Sequence, residues 1–264
     1  MNIGFIGAGN MACAIIGGIL DNKVVTTAEV HASAPTEATR VRVTEQYGIE
    51  TFASNAEVAA WADIVILAVK PYVMENAIDD IVDAISPDCT VVSIAAGKTL
   101  EWIDQSFGME MKLVRCMPNT PALVGEGVTG ICANERVEQE NLDQVIKIFN
   151  SVGMVEIMDE RMIDVIGAVA GSTPAYVAMF IEALADAAVA EGMPRALAYK
   201  VAAQAVTGSA ALAVKTGKHP GELKDMVCSP GGTTIEGVQV LEERGMRAAV
   251  MEAIRAAISK TRLL

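Results

Sequence analysis

The residues of this chain best suited to chemistry stand together late in the sequence, in Cys228-Ser229-Pro230-Gly231-Gly232-Thr233-Thr234-Ile235-Glu236. Ser229, Pro230, Gly231 and Gly232 have the composition of a turn. Thr233-Thr234-Ile235-Glu236 has the S/T-x-x-E form of a capping box. A helix starting here leaves unpaired N–H groups facing a backbone stripped of side chains. Such a place binds a small anion, a carboxylate for instance, through backbone donors and the helix dipole. The hydroxyls of Thr233 and Thr234 stand at the same spot. Alone, the segment would serve equally as a turn ahead of a well-capped helix, and the other end of the chain decides between the two.

There, Gly7-Ala8-Gly9-Asn10-Met11-Ala12 follows a short apolar run and leads into a helical pattern, Ile15, Ile16, Ile19 and Leu20. Strand before and helix after make G-x-G-x-x-A a dinucleotide fingerprint. Gly7 permits the tight turn, Gly9 lets a pyrophosphate approach the backbone, and Ala12 keeps the helix close to the strand. Gly7, Gly9, Asn10 and Met11 are therefore candidate cofactor contacts. With a strand starting at residue 2, no signal or transit peptide is expected.

The elements that must position these residues fall into two groups. Up to residue 158, strand-like runs (29–32, 63–69, 90–95, 112–116, 128–133 and 154–157) alternate with helical patterns such as 57–61, 74–85 and 138–151. This predicts an α/β Rossmann domain over 1–158, doubly wound, its sheet mostly parallel and parallel at least through its first strands. Ligands bind beyond the carboxyl ends of such strands. The turns there are Ala68-Val69-Lys70-Pro71, Ala95-Ala96-Gly97 and Met117-Pro118-Asn119-Thr120-Pro121, whose small residues leave room for a nicotinamide ring. Ala68, Val69, Lys70, Pro71, Ala95, Ala96, Gly97 and Asn55 join the candidate cofactor contacts.

From residue 159 to 264 the pattern is all helical: 162–170, 174–190, 195–216, 219–226, 235–244 and 246–262, with Pro174 and Pro194 near helix starts and Gly192 and Gly217 at helix ends. The stretch 175–190 is almost wholly apolar. Pro174 and the acids Glu182 and Asp186 argue against a bilayer span. A helix apolar on most sides must be buried all round, and a domain of this size has little interior to hold it. A second subunit is expected to cover it, so the domain is expected to serve dimerisation and substrate binding, in a homodimer at least and a larger oligomer of dimers beyond that.

Composition bounds the partners. The chain has 264 residues, 52% of them hydrophobic and 20% charged, which suits a globular protein of two domains. The net charge of −13 argues against nucleic acid and anionic membranes as partners, so an anionic substrate must be captured by local donors. The five cysteines form no C-x-x-C pair and no metal spacing with either histidine, which reads as a reduced, cytoplasmic chain. His31 and His219 read as structural. At the tip of the second strand, Ser33-Ala34-Pro35-Thr36 carries no acid for a ribose 2′-hydroxyl. Ser33 and Thr36 offer hydroxyls and Arg40 follows, so NADP(H) is expected over NAD(H).

With both ends read, the chain closely resembles pyrroline-5-carboxylate reductases over essentially its whole length. The resemblance rests on Phe5 to Ala12, Ala68-Val69-Lys70-Pro71, Ser93-Ile94-Ala95-Ala96-Gly97, Arg115 to Pro121, Pro174-Ala175-Tyr176 and His219 to Asp225, and most specifically on Ser229 to Ile235. One departure is Thr173, where the family's segment usually has a smaller residue. The resemblance implies reduction of a cyclic imine acid by NAD(P)H. It implies that the substrate sits in the glycine-threonine turn of one subunit and faces the nicotinamide of the other. Gly232 and Thr233 N–H groups would hold the carboxylate, the Thr234 hydroxyl would meet the ring nitrogen as the catalytic group, and Ser229 and Gly231 would shape the turn. A β-hydroxyacid dehydrogenase would share the layout, but such enzymes resemble one another in a lysine on the first long helix of the second domain, and residues 167–199 have none. A non-enzymatic sensor of NADPH would have no use for the carboxylate turn.

Overall fold

A computed structural model describes residues 1–263. The chain runs β1 (Ile3–Ile6), α1 (Asn10–Asp21), β2 (Val30–Ser33), α2 (Glu37–Tyr47), β3 (Glu50–Phe52), α3 (Asn55–Trp61), β4 (Ile64–Leu67) and α4 (Met74–Asp79). It continues with β5 (Thr90–Ser93), α5 (Leu100–Phe107), β6 (Lys112–Met117), β7 (Gly127–Ala133), α6 (Gln139–Asn150) and β8 (Gly153–Ile157). The rest is helical: α7 (Glu160–Ala190), α8 (Arg195–Thr216), α9 (Pro220–Val227), α10 (Thr233–Glu243) and α11 (Met246–Thr261).

The eight strands form one sheet in the order β3-β2-β1-β4-β5-β6-β7-β8. All pairs are parallel except β6 with β7, which run antiparallel with Cys116 opposite Ile131. The strand direction therefore reverses once, and β8 follows β7 in parallel. Both faces are covered. Ile3 and Phe5 pack with Ile15, Ile16, Ile19 and Phe149 on one side. Ile6, Val65 and Leu67 pack with Val58, Ile78 and Phe107 on the other. Strand residues alternate between faces, so a strand covered on both is apolar along most of its length. Gly4 is a departure with a packing reason: a Cβ there would lie 2.7 Å from Val58 Cγ1.

Compactness divides the chain inside α7. One unit holds Met1–Gly171 with the chain from Ala257 onward, and the other holds Ser172–Ala256. The expectation that a helix starts afresh at Pro174 is corrected, because α7 runs through Pro174 for 31 residues. Proline in a helix interior removes one N–H and leaves the carbonyl four residues earlier unpaired. That carbonyl belongs to Ala170, and the Asn119 side chain donates to it at 2.9 Å. A replacement donor from a distant turn lets the helix continue.

The first half of α7 is tied to the sheet. Arg115 on β6 is 1% exposed and reaches Glu160 at 3.2 Å and Asp164 at 2.7 Å, both on the first turns of α7. Glu160 also accepts the Leu100 N–H at 2.7 Å, at the start of α5. The helix comes close enough that a Cβ on Gly167 would meet Met117 Cε at 2.7 Å and one on Gly130 would meet Ile166 at the same distance.

Within the second unit the buried apolar core is small: Ala185, Ala198 and Ala202, with Ile181, Val189 and Met193 against them. Met179, Leu184, Val201, Val227, Val240 and Met251 are all exposed. By length and composition α7 and α8 could cross a membrane, yet only 11% of each apolar window is buried in the single chain. An apolar surface of this extent calls for a partner. Ala183 lies on the exposed part of α7, so Ala183→Arg is expected to leave the single chain folded and to block association, since a partner would have to bury an unpaired charge. Sedimentation should find monomers with little activity, and an active dimer from this variant would show that α7 lies outside the interface.

Candidate functional site

The sheet's switch point lies between β1 and β4, where successive connections leave in opposite directions and a crevice opens beyond the strand ends. Gly7 ends β1 with φ +96°, and a Cβ there would stand 2.8 Å from the Ala68 carbonyl oxygen, so only glycine fits. The turn is closed by the Gly7 N–H on the Ser33 carbonyl at 3.1 Å. Gly9 is the N-cap of α1 and offers no side chain to its first N–H groups, while the space a Cβ would take there is open. The α1 N-terminus is thus an uncapped set of donors at a bare backbone, the condition for holding a phosphate.

A cavity of about 950 Å³ opens at this point. Gly7, Gly9, Asn10, Met11, Ser33, Asn55, Ala68, Val69, Lys70, Pro71, Ala95 and Ala96 all line it, so the expected contacts converge. Gly97 does not line it; with φ +75° it serves the turn after β5. Lys70 supplies the cavity's cationic side chain and starts a 3₁₀ turn at Pro71–Val73. The residues present therefore fit a nicotinamide dinucleotide in size, in backbone donors and in charge.

At the tip of β2 the structure narrows the expectation. Ser33 borders the cavity but is fully buried, and its hydroxyl donates to Asn55 Oδ1 at 2.6 Å. The Asn55 amide in turn donates to Asp80 at 2.9 Å. The Thr36 hydroxyl caps α2 by accepting from Thr39. Both hydroxyls are spent, which leaves Arg40, whose guanidinium donates to the Ala34 and Pro35 carbonyls at 2.8 and 3.2 Å. A positive charge is thereby fixed on the turn at the tip of β2.

Two participants escaped the sequence reading. Arg42 reaches back from α2 to donate to the Ala8 carbonyl at 3.2 Å, inside the glycine turn. Asp80 lines the cavity and anchors Asn55. Neither pairing has a local signal, because each joins residues more than twenty positions apart.

The remaining reactive side chains belong to the framework. Burial pushes the Cys89 thiol up to about 12 and the Cys132 thiol up to about 11, and raises Cys116 well above its usual range. Thiols held protonated in this way are poor nucleophiles. His31 stacks on Trp61 at 3.5 Å, and burial lowers its pKa. His219 caps α9 by accepting the Gly221 N–H at 3.1 Å.

In the second unit, Ser229 to Gly232 form a turn in which the Gly232 N–H donates to the Ser229 carbonyl at 3.0 Å. Pro230 in second place and Gly231 at φ +67° in third give it the form of a type II turn. A Cβ on Gly232 would lie 2.4 Å from Ser229 Oγ, so the serine hydroxyl occupies the space that glycine vacates. The helix itself begins differently from the capping-box expectation. Gly232 is the N-cap, Thr233 is already helical, and no side chain caps the helix. The turn delivers Gly232 in extended backbone and moves the boundary one residue back. Its N–H is engaged within the turn, so the donors left at the start of α10 belong to Thr233, Thr234 and Ile235. Thr233 and Thr234 are both exposed.

Comparisons with known proteins bear on both units. Residues 160–264 match the family model for pyrroline-5-carboxylate reductase dimerisation, and residues 2–97 match that for NADP oxidoreductase, coenzyme F420-dependent. A pyrroline-5-carboxylate reductase of Escherichia coli is 50% identical over 262 residues, spanning 99% of this chain and 97% of the relative. Among solved structures, a pyrroline-5-carboxylate reductase from Coxiella burnetii superposes with a TM-score of 0.92 at 34% identity, covering 99% of this chain and 97% of the other. The Plasmodium falciparum pyrroline carboxylate reductase with NADP bound gives 0.90 at 33% identity, covering 100% and 97%.

Proposed function

The chain belongs to the pyrroline-5-carboxylate reductase family, and from that membership we infer that it is an NADPH-dependent oxidoreductase that works as a homodimer and reduces 1-pyrroline-5-carboxylate to L-proline. One observation carries this reading from the chain's own residues. The same molecule holds a dinucleotide cavity at the β1–β4 crevice and a second uncapped helix start behind Gly231 and Gly232. Each is fitted for an anion, and they account for a phosphorylated cofactor and a small carboxylate substrate.

Gly7, Gly9, Asn10 and Met11 would hold the pyrophosphate, Arg40 the 2′-phosphate, and Ala95, Ala96 and the turn at Ala68 to Pro71 would enclose the nicotinamide end. Bound NADPH supplies the hydride. The chain's own contribution is to bind and orient. We assign the substrate carboxylate to the N–H groups of Thr233 and Thr234, a shift of one residue from Gly232, and the ring nitrogen to the Thr234 hydroxyl. Ser229 and Gly231 shape the turn. Hydride addition to the imine carbon would leave the C=N π electrons on nitrogen as a lone pair; an iminium already carries the amine's proton, and a neutral imine would take one from water through the Thr234 hydroxyl. A hydroxyl that can donate to the imine or accept from the iminium serves both states. A protonated imine is electrophilic already, so positioning and charge placement suffice and no buried acid is needed.

We further propose that dimers assemble into a larger homo-oligomer in the cytoplasm, supported by the apolar side chains left on α8 to α11. The net charge of −13 supports the absence of nucleic-acid and membrane partners. We also keep 1–158 and 159–264 as the functional division into cofactor and dimerisation domains. The test of the activity is oxidation of NADPH, and separately NADH, with 1-pyrroline-5-carboxylate as acceptor. A protein that binds NADPH yet never turns over with this imine would refute the assignment.

Arg40→Ala is expected to lower kcat/KM for NADPH by roughly 10–10²-fold, the worth of a charge-assisted bond, and to leave that for NADH near wild type. Steady-state kinetics with both cofactors checks this. An unchanged ratio would move the 2′-phosphate elsewhere. Ser33→Asp, in contrast, should lose stability rather than switch preference, because it places an acid in a buried site already filled by Asn55.

A further inference from the structure

Asn119 is buried, and both ends of its amide are used. Its oxygen accepts the Val128 N–H at 2.8 Å, on β7, and its nitrogen donates to the Ala170 carbonyl at 2.9 Å, on α7. Ala170 is the residue whose helical donor Pro174 removes. Asn119 is also the N-cap of the 3₁₀ turn Thr120–Val124, and two residues of that turn, Thr120 and Leu123, line the cofactor cavity. A single side chain therefore closes three elements on one another, and the cavity wall hangs from it.

We propose that Asn119 is a positioning residue for cofactor binding: its amide, paired with the carbonyl that Pro174 leaves open, sets the Thr120–Val124 wall of the cavity. The asparagine and the proline act as a matched pair. Without the proline, Ala170 would take a donor from the helix and the asparagine nitrogen would share its acceptor. Without the asparagine, a partly buried carbonyl and the Val128 N–H both go unpaired. The wall would then be free to shift, and displacement of a binding group by an ångström is enough to cost one to two orders of magnitude.

This rests on the reading that the cavity holds NADPH, so the experiment includes a measurement on the cofactor-free protein. Four proteins are compared: wild type, Asn119→Ala, Pro174→Ala and the double variant. Amide hydrogen exchange over residues 120–128 is read without cofactor, and the NADPH dissociation constant and KM are read with it. The expected result for Asn119→Ala is faster exchange over 120–128 and an NADPH Kd raised by roughly 10–10²-fold. In the Pro174→Ala background the same substitution should cost less in both readouts, because the restored N–H at 174 pairs Ala170. Equal effects in the two backgrounds would overturn the link to Pro174. Faster exchange with unchanged NADPH affinity would show that Asn119 serves stability alone. Should Asn119→Ala not fold, the wild type still decides: the Val128 amide must exchange slowly, and rapid exchange there would overturn the clamp.

Discussion

Thr234→Ala is expected to lower kcat by roughly 10²–10³-fold, the usual loss when one well-placed donor is removed from a centre of changing charge. The substitution removes the hydroxyl assigned to the imine nitrogen and keeps the backbone N–H assigned to the carboxylate. KM for the imine should therefore move much less than kcat, which marks an interaction stronger in the transition state than in the ground state. NADPH affinity should hold, because Gly7, Gly9, Asn10 and Met11 are untouched. The fold should hold too: Thr234 is exposed on the first turn of α10, and alanine is a better helix former than threonine. Thr233→Ala is the matching control. Since Gly232 and not Thr233 is the N-cap, that variant loses no cap and should keep both its melting temperature and most of its kcat. A Thr234→Ala enzyme that turns over like wild type would reduce the turn to a carboxylate clamp and leave protonation to solvent.

Arg115→Ala is expected to destabilise the protein by about 1.5–3 kcal/mol, the loss of charge-assisted hydrogen bonds from a buried guanidinium to two partly exposed acids. That is a large share of the total stability of a typical domain, about 5–15 kcal/mol. The guanidinium is buried, and its two terminal nitrogens reach Glu160 and Asp164. Removing it leaves two partly exposed carboxylates without their partner and frees the first turns of α7. A triple variant, Arg115→Met with Glu160→Gln and Asp164→Asn, removes all three charges and should recover much of the loss, since the penalty comes from unpaired charge rather than from the absence of the pair. Denaturant midpoints at one fixed protein concentration provide the measurement, because association contributes to apparent stability. A single variant with the wild-type midpoint would show that the acids find water without consequence.

Much of this molecule is legible in local sequence. The first unit's strands were expected within a residue or two, except β3, because a strand covered on both faces is a mostly apolar run and the helices between must show their own period. β3 is short and polar, Glu50-Thr51-Phe52, and at the sheet edge it needs no such run. The glycines of both candidate sites are legible for the same local reason. Gly7 and Gly231 hold positive φ, and Gly232 yields its Cβ space to a residue three positions away.

What the sequence by itself determined, then, is the order of elements, the crevice where a dinucleotide fits, and the turn that offers N–H groups to an anion. Each depends on residues within a turn or two of one another. Tertiary structure alone decided which groups at those places remain free. The Ser33 hydroxyl is spent on Asn55, twenty-two residues away, and the Asn55 amide on Asp80, twenty-five further on. Arg42 holds the glycine turn from another helix, and Asn119 lets α7 run through a proline that locally reads as a helix start. A hydrogen bond forms only where folding brings donor and acceptor within about 3 Å, and that meeting is a property of the packed chain, which no window of neighbouring residues contains.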